Sequence, residues 1–463
     1  PATVPAAEQP GPWQVTAAGD VSVSLDGADL VVVADGVTTR RAAASVTALT
    51  ISAGGHVSLP ASLGLAVTVT SAAALAVSGT GVTWNSDGAG SGSVGATVFS
   101  GVGRLVAVGS GHVLRGPAAD TTWQIDGQRA GSVAGQRFSG FDVLQGAAGN
   151  RDDFVVAPGG RIGRVDGGAG GYDVLRFSGA HGAVTSRPTG SQSGTLMVGG
   201  TTLAYDGLEP IGPADVTDFD FADATDDDTI EVTPDAVNIG YILVRSLANA
   251  FESHSVRPLG SFVVKSTGKG ATIRIVGTLT FHGVTFRFEA TRVVVGPGGV
   301  LDAGAADVVL AATATTADDT PAIAEVILTD AVVRGGNVQA TATAVNTADP
   351  GATVGLALGE SVASALVQLA GTSRIEAQGT VSLASSSTAT LVTTSTGTGA
   401  DAAVDAAVAH ATIDNSAVTR ITDTASVQAA GAVSISATTV TTATTTADAT
   451  AATAGAAVAT TTA

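Results

Sequence analysis

The side chains able to do chemistry here are mainly carboxylates: the 463 residues include no Cys, six His, and 40 Asp and Glu against 21 Lys and Arg. The densest group is Asp215, Asp218, Asp220, Asp223, Asp226, Asp227 and Asp228, seven carboxylates in one short stretch. Such a run repels itself unless water or a cation screens it. Neither alignment on an EF-hand loop puts Gly at the sixth position. The run therefore reads as a solvated connecting loop, with a cation held by Asp218, Asp220 and Asp226 as the alternative. His56, His112, His181, His254, His282 and His410 are far apart, with no pair at metal-ligand spacing. There is no G-x-S-x-G elbow and no phosphate-binding loop. Among the few aromatic residues, only Trp13, Trp84 and Trp123 could serve as strong sugar platforms. An enzyme is not expected.

Composition narrows the classes further. Charged residues make up 13%, about half the usual share of roughly 25%. The net charge of −19 excludes a duplex nucleic-acid binder, which needs many cations on one face. A disulfide framework and a Cys-ligated metal are excluded as well. No stretch reaches the roughly 18 to 20 strongly apolar residues of a membrane span. Pro1-Ala2-Thr3-Val4-Pro5 lacks the basic and apolar regions of a signal peptide, which suggests a signal already removed or numbering that starts on an excised segment. The apolar fraction of 44% comes mostly from Ala and Val, with aromatics at 4%. Stacked repeats can build a core from such residues more easily than a compact domain can.

Repeats are present. Thr83-Trp84, Asp87-Gly88, Gly92-Ser93-Val94 and Phe99-Ser100-Gly101 recur at an offset of 39 as Thr122-Trp123, Asp126-Gly127, Gly131-Ser132-Val133 and Phe138-Ser139-Gly140. A third Phe-Ser-Gly starts at Phe177. A shorter offset of 21 relates Gly146–Phe154 to Gly167–Leu175. About 20 residues suits one coil of a β-solenoid, so the longer unit is expected to be about two coils. In the C-terminal third, Ala365–Leu369 matches Ala417–Ile421 at an offset of 52, which continues through Ile375 and Val427, Gly379 and Gly431, and Val381-Ser382-Leu383 and Val433-Ser434-Ile435. Alternating stretches such as Val21–Leu25, Val67–Thr70, Ala271–Val276 and Val284–Glu289 read as half-buried strands separated by Asp-Gly and Gly-Gly turns. The segment 400–411 could be helical on propensity but lies inside the C-terminal repeat, and is read as strand and loop. The final stretch, 441–463, holds ten Ala and ten Thr and stops in mid-pattern, as a piece of something longer would; a disordered tail is the other reading.

The stretch from Phe138-Ser139-Gly140-Phe141-Asp142 through Val165-Asp166-Gly167-Gly168-Ala169-Gly170-Gly171-Tyr172-Asp173 resembles the very large repetitive surface proteins and adhesins of bacteria. Tyr205–Ile211 and the Ala/Thr-rich repeats are similar to other segments of them. The resemblance implies a right-handed parallel β-solenoid exported to the cell surface. The Gly-Gly-Ala-Gly turns are also similar to the RTX calcium nonapeptides. That likeness implies Ca²⁺ held by Asp152, Asp153, Asp166 and Asp173, with glycines letting carbonyls converge on the ion. One extra residue, Gly171 or Tyr172, precedes Asp173, however, and only two degenerate copies exist. The reading without a metal is a turn whose carboxylate caps its own backbone.

The expected protein is all-β, a right-handed parallel β-helix in two consecutive solenoid segments, 1–212 and 233–463, joined by an Asp-rich loop at 213–232. It would act as a stiff rod or fibre of a secreted or cell-surface protein, in adhesion or surface contact. Its partners would be further copies, head-to-tail or lateral, or a cell-surface ligand. A carbohydrate-binding or carbohydrate-cleaving β-helix and a calcium-stabilised module are the alternatives.

Overall fold

A computed structural model describes residues 9–398, 404–449 and 454–462. The segment Pro1–Pro5 and the first part of the ambiguous 400–411 stretch lie outside the described residues. Every described element is a strand apart from one short 3-10 turn at Ala43–Ser45, and parallel pairing dominates. No described helix is long and apolar enough to cross a membrane. The chain divides into two compact units: the first holds residues 1–216 with 251–256, the second 217–250 with 257–463.

In the first unit, strands pair in parallel with a strand further along the chain. Where nothing intervenes the step is short. Leu49 faces Val67, His56 faces Ala74, Gln145 faces Asp166 and Phe154 faces Leu175. The last two pairs are the sequence offset of 21. Elsewhere three-stranded antiparallel meanders interrupt the path, as at Thr83–Gly88, Ser91–Val94 and Thr97–Phe99. The next copy, Thr121–Gly127, Ala130–Val133 and Gln136–Ser139, repeats that meander. The offset of 39 therefore marks a meander with its following strands, not two equivalent coils. Trp84 accordingly stacks in register with Leu114 rather than with Trp123. Both copies fold alike: Trp84 lies 6.3 Å from Phe99, and Trp123 lies 6.3 Å from Phe138. Phe141 and Phe154 fill in against these rings, at 5.5 Å from Trp84 and 5.2 Å from Trp123. Ring pairs at such spacings add to the area that they bury.

The Asp-rich stretch expected as a connecting loop is largely extended. Ile211–Asp223 is one 13-residue strand, and Thr229–Pro234 follows a short turn. The physical reason is that Asp alternates with apolar residues: Phe219 and Phe221 are buried, and Asp218 and Asp220 occupy the intervening positions. A period of two makes a strand whatever the charge on its outer face.

From Thr285 onward the second unit is regular. The chain visits three parallel ladders in fixed cyclic order. One contains Thr285–Ala290, Val308–Thr316, Val338–Ala348, Val381–Thr396 and Val433–Asp448. The next contains Arg292–Val295, Ala322–Thr329, Leu356–Ala370, Val404–Ile421 and Ala454–Thr462. The third contains Thr278–Thr280, Val300–Asp302, Val332–Gly335, Arg374–Ala377 and Ser426–Ala429. Successive turns lengthen: Phe286 pairs with Val308, Val308 with Val338, Val338 with Val381 and Val381 with Val433, each step longer than the one before. The sequence offset of 52 is a strand register on all three ladders: Ala365 faces Ala417, Ile375 faces Val427 and Val381 faces Val433.

Beyond Phe288 the chain has no Phe, Trp or Tyr. The inward positions of Val381–Thr396 are Val381, Leu383, Ser385, Ser387, Ala389, Leu391, Thr393 and Ser395, all buried. Buried hydroxyls need acceptors, and the facing chain supplies them to Ser387 and Ser395. Ser387 donates to the carbonyl of Ala363 at 2.9 Å, and Ser395 to that of Gly355 at 3.0 Å. Asn346 donates to Thr316, Asp318 and Thr320 and accepts from Ser361 at 2.6 Å. Close approach of the two ladders demands small residues; a Cβ on Gly359 would sit 2.6 Å from Thr393 and 2.9 Å from Leu391.

Candidate functional site

The third ladder of the second unit carries a continuous row of outward polar groups beside a groove. Its strands place Thr280, Asp302, Arg334, Glu376 and Gln428 one above the other in register. The residues just before them, Leu279, Leu301, Val333 and Ile375, point the other way and are buried. Alternation along each short strand thus forces the polar row outward. Arg334 Nε donates to Glu376 Oε2 at 2.7 Å, and its Nη1 lies 3.8 Å from Asp302 Oδ2. The Glu376 contact raises the guanidinium pKa further above its ordinary value. Asp302 Oδ1 accepts the amide of Gly304 at 3.0 Å, and His282 Nε2 stands 3.5 Å away. Gly304, Ala305, Gly335, Ala377, Ala429 and Ala430 floor a groove of about 700 Å³ beside this row, with Gln378 and Gln428 on its rim. Sequence reading missed all of it, because the row's members are spaced ever more widely along the chain and share no fixed period.

The residues singled out for Ca²⁺ are placed differently. Asp152 is sealed: Trp123 Nε1 donates to Oδ1 at 2.9 Å, and Ala147 N and Asn150 Nδ2 donate to Oδ2 at 3.1 and 3.0 Å. Asp173 Oδ1 accepts the amide of Asp152 at 2.7 Å. Asp166 accepts from Gly168 N and Gln145 Nε2. Asp153 faces the other way and pairs with Arg176 at 2.7 and 2.5 Å. The turns themselves stack tightly, Gly146 N on Asp166 O and Gly167 N on Asp206 O, and a Cβ on Gly167 would come 2.1 Å from the carbonyl of Gly207. These glycines serve turn-on-turn packing, and the carboxylates cap backbone and side-chain donors. Burial pushes Asp173 up to about 6 and raises Asp152 despite its hydrogen bonds. Such a set does not fit Ca²⁺, which needs several oxygens free to converge on one point.

The second acidic group is likewise dispersed. Asp218 accepts from Ser261 Oγ at 2.6 Å and Asp226 from the amide of Lys269 at 2.7 Å, while Asp220 lies on the strand Ile211–Asp223. Among the described residues no three His, Asp or Glu side chains gather as a metal-ligating group. Trp84 and Trp123 are wholly buried and Trp13 nearly so, under the guanidinium of Arg41, so none presents a face to a sugar.

One pairing was invisible in the sequence. Ser186 Oγ and His254 Nε2 lie 2.8 Å apart, and His254 Nδ1 is 2.7 Å from the carbonyl of Glu252. The spacing suits a nucleophile and its base. Both side chains are nonetheless sealed, and burial pulls the His254 ring down to about 4, so it is neutral and acts as internal structure. Comparison with protein-family models, curated proteins and solved structures finds no match for the chain.

Proposed function

We propose that the chain is a segment of right-handed parallel β-helix from an exported surface protein, acting as a stiff spacer in adhesion or cell contact. The observation that carries this reading is the cyclic order in which the described strands between Thr285 and Thr462 visit three parallel ladders. Parallel strands joined by crossovers in one sense are right-handed in nearly all folds. In a stack of this kind each turn rests only on its neighbours, and its backbone hydrogen bonds run along the stacking axis, which gives stiffness without disulfides. The low charge and the absence of Cys suit such a spacer. Self-association is part of the proposal. Val433 and Ile435 stand half exposed, while their register partners Val381 and Leu383 are buried. A further layer in the same register, from more chain or from a second copy, would cover them.

Antibodies against residues 233–463 should label intact producing cells, and external protease should remove the signal. Labelling only after permeabilisation would contradict the proposal. Light scattering across a concentration series should show association that Ile435→Asp weakens.

A further inference from the structure

The geometry points to the groove beside Asp302, Arg334, Glu376 and Gln428 as a binding site for a neutral oligosaccharide lying along the ladder. This goes beyond the spacer reading, which rests on the ladders alone and stands or falls separately.

Charge comes first. Two carboxylates flank one guanidinium, and the groove is slightly acidic in total, so a polyanion such as a polyuronate or nucleic acid is disfavoured. A bare cation is disfavoured too, because Arg334 sits between the two carboxylates and already neutralises one of them. Apolar anchoring is slight: the floor is Gly and Ala, and the His282 imidazole is the one ring among the described lining residues, with no large aliphatic side chain beside it. A lipid or an apolar peptide would find nothing to fill.

The groups present instead match hydroxyls, each of which both donates and accepts. Asp302 and Glu376 accept, Arg334 donates in a fork, and the amides of Gln378 and Gln428 do both. Several remain available. Apart from the Nε bond to Glu376, the Arg334 side chain makes no hydrogen bond to a described residue, and the two Gln side-chain amides make none. Glu376 uses only Oε2. The spacing is also regular. Neighbouring strands lie about 4.8 Å apart, so the four members span about 14 Å, the reach of a short oligosaccharide. The small residues Gly335, Ala377 and Ala429 leave room for a flat ring beside the row, with the His282 imidazole lying against Gly304 at its end. The row is held in register by a five-stranded parallel ladder, so the site is largely formed before any ligand arrives.

The test uses the full chain on an array carrying neutral glucan, xylan, mannan and galactan oligosaccharides beside hexagalacturonate and a heparin hexasaccharide. Titration calorimetry then follows on the best neutral binder. Arg334→Ala and Gln428→Ala are each expected to weaken binding by about tenfold, the loss of one or two good hydrogen bonds. Arg420→Ala is the control, since that residue pairs with Gln368 on another ladder, and should leave affinity within about twofold. The Gln428 amide has no described partner to lose, so its variant tests the site even if removing Arg334 disturbs the fold. Retention of no neutral glycan, retention of only the acidic ones, or binding indifferent to Gln428→Ala would each overturn the assignment.

Discussion

The two units solve one problem, stacking strands in parallel, with opposite materials. In the first, the step between stacked strands is short where the path is direct, as from Leu49 to Val67, and longer where a meander intervenes, as from Trp84 to Leu114. Large rings fill the resulting irregular spaces: Trp84, Trp123, Phe99, Phe138, Phe141 and Phe154 are all fully buried. In the second unit beyond Phe288 there are no such rings, the described strands form no meanders, and along the first ladder each turn is longer than the one before. Its core is mostly Ala, Ser, Thr, Val and Leu, with Ile375, Ile413 and Asn346 added. An interrupted path leaves pockets that only large side chains fill, whereas a wide uninterrupted turn lets ladders approach until only small side chains fit. The first unit draws on buried area per residue, and the second on length of hydrogen-bonded ladder.

The largest effect should come from inverting the materials. Trp123→Ala removes a ring packed on Phe138 and Phe154 and leaves the buried Asp152 carboxylate without its indole donor, a loss of about 3–5 kcal/mol. The reverse change, Ala342→Leu between the apposed ladders, should cost about 1–3 kcal/mol by overpacking. Urea unfolding measures both. Tryptophan fluorescence follows the first unit alone, since Trp13, Trp84 and Trp123 all lie there. If Ala342→Leu is neutral, the apposed ladders are not tightly packed.

Acid should separate the units next. His254 is held neutral down to about 4, so it contributes stability above its ordinary 6.5 that is lost as pH falls toward 4. Asp173 is pushed up from 3.8 to about 6, so it contributes stability at low pH that is lost as pH rises through 6. Between pH 6.5 and 4 the two oppose each other, with Asp152 and Glu252, also raised by burial, acting alongside Asp173 and His181, lowered by burial, alongside His254. Asp173→Asn keeps an acceptor for the amide of Asp152 and removes the compensation. Its urea midpoint should then fall more steeply with acid than that of the wild type; a variant profile that coincides with the wild type would remove Asp173 from the account.

Smaller still is Asn346→Ala, which strips donors from Thr316, Asp318 and Thr320 and an acceptor from Ser361, for about 1–3 kcal/mol. Hydrogen exchange should show the loss confined to neighbouring strands of the second unit. The smallest change is Arg164→Ala, which breaks exposed pairs with Asp166 and Asp206 and should cost no more than about 1 kcal/mol.

How much of this could be read from sequence follows the same division. Offsets of 21 and 52 were legible because the stacked strands carry like residues with nothing inserted: Phe154 over Leu175, Val381 over Val433. The offset of 39 was equally visible but misleading in structural terms, since a meander repeats in sequence without stacking on its own copy. The lengthening steps from Phe286 to Val381 were invisible to any fixed period. For that reason the row from Asp302 to Gln428 went unseen, although each member follows the inward apolar residue of a short strand. The glycine turns carry two sequence readings, a calcium site and a turn capped by its own carboxylate; the close stacking that needs glycine, the carbonyl of Gly207 over Gly167, is visible only in the fold. Ser186 and His254 are distant in the chain and meet only through tertiary folding.

The central claim is that a sequence offset of 52 is a strand register, and engineered cysteines test it directly because the chain has none of its own. Ser382 faces Ser434 across adjacent parallel strands, a separation of about 4.8 Å that a disulfide can bridge. Moving the partner two positions along to Ser436 keeps the face but opens the gap to about 8 Å, beyond bridging distance. On mild oxidation Ser382→Cys with Ser434→Cys should close within the monomer, and Ser382→Cys with Ser436→Cys should stay reduced. Closure of the slipped pair in preference to the aligned one would contradict the register and the stacked architecture built on it.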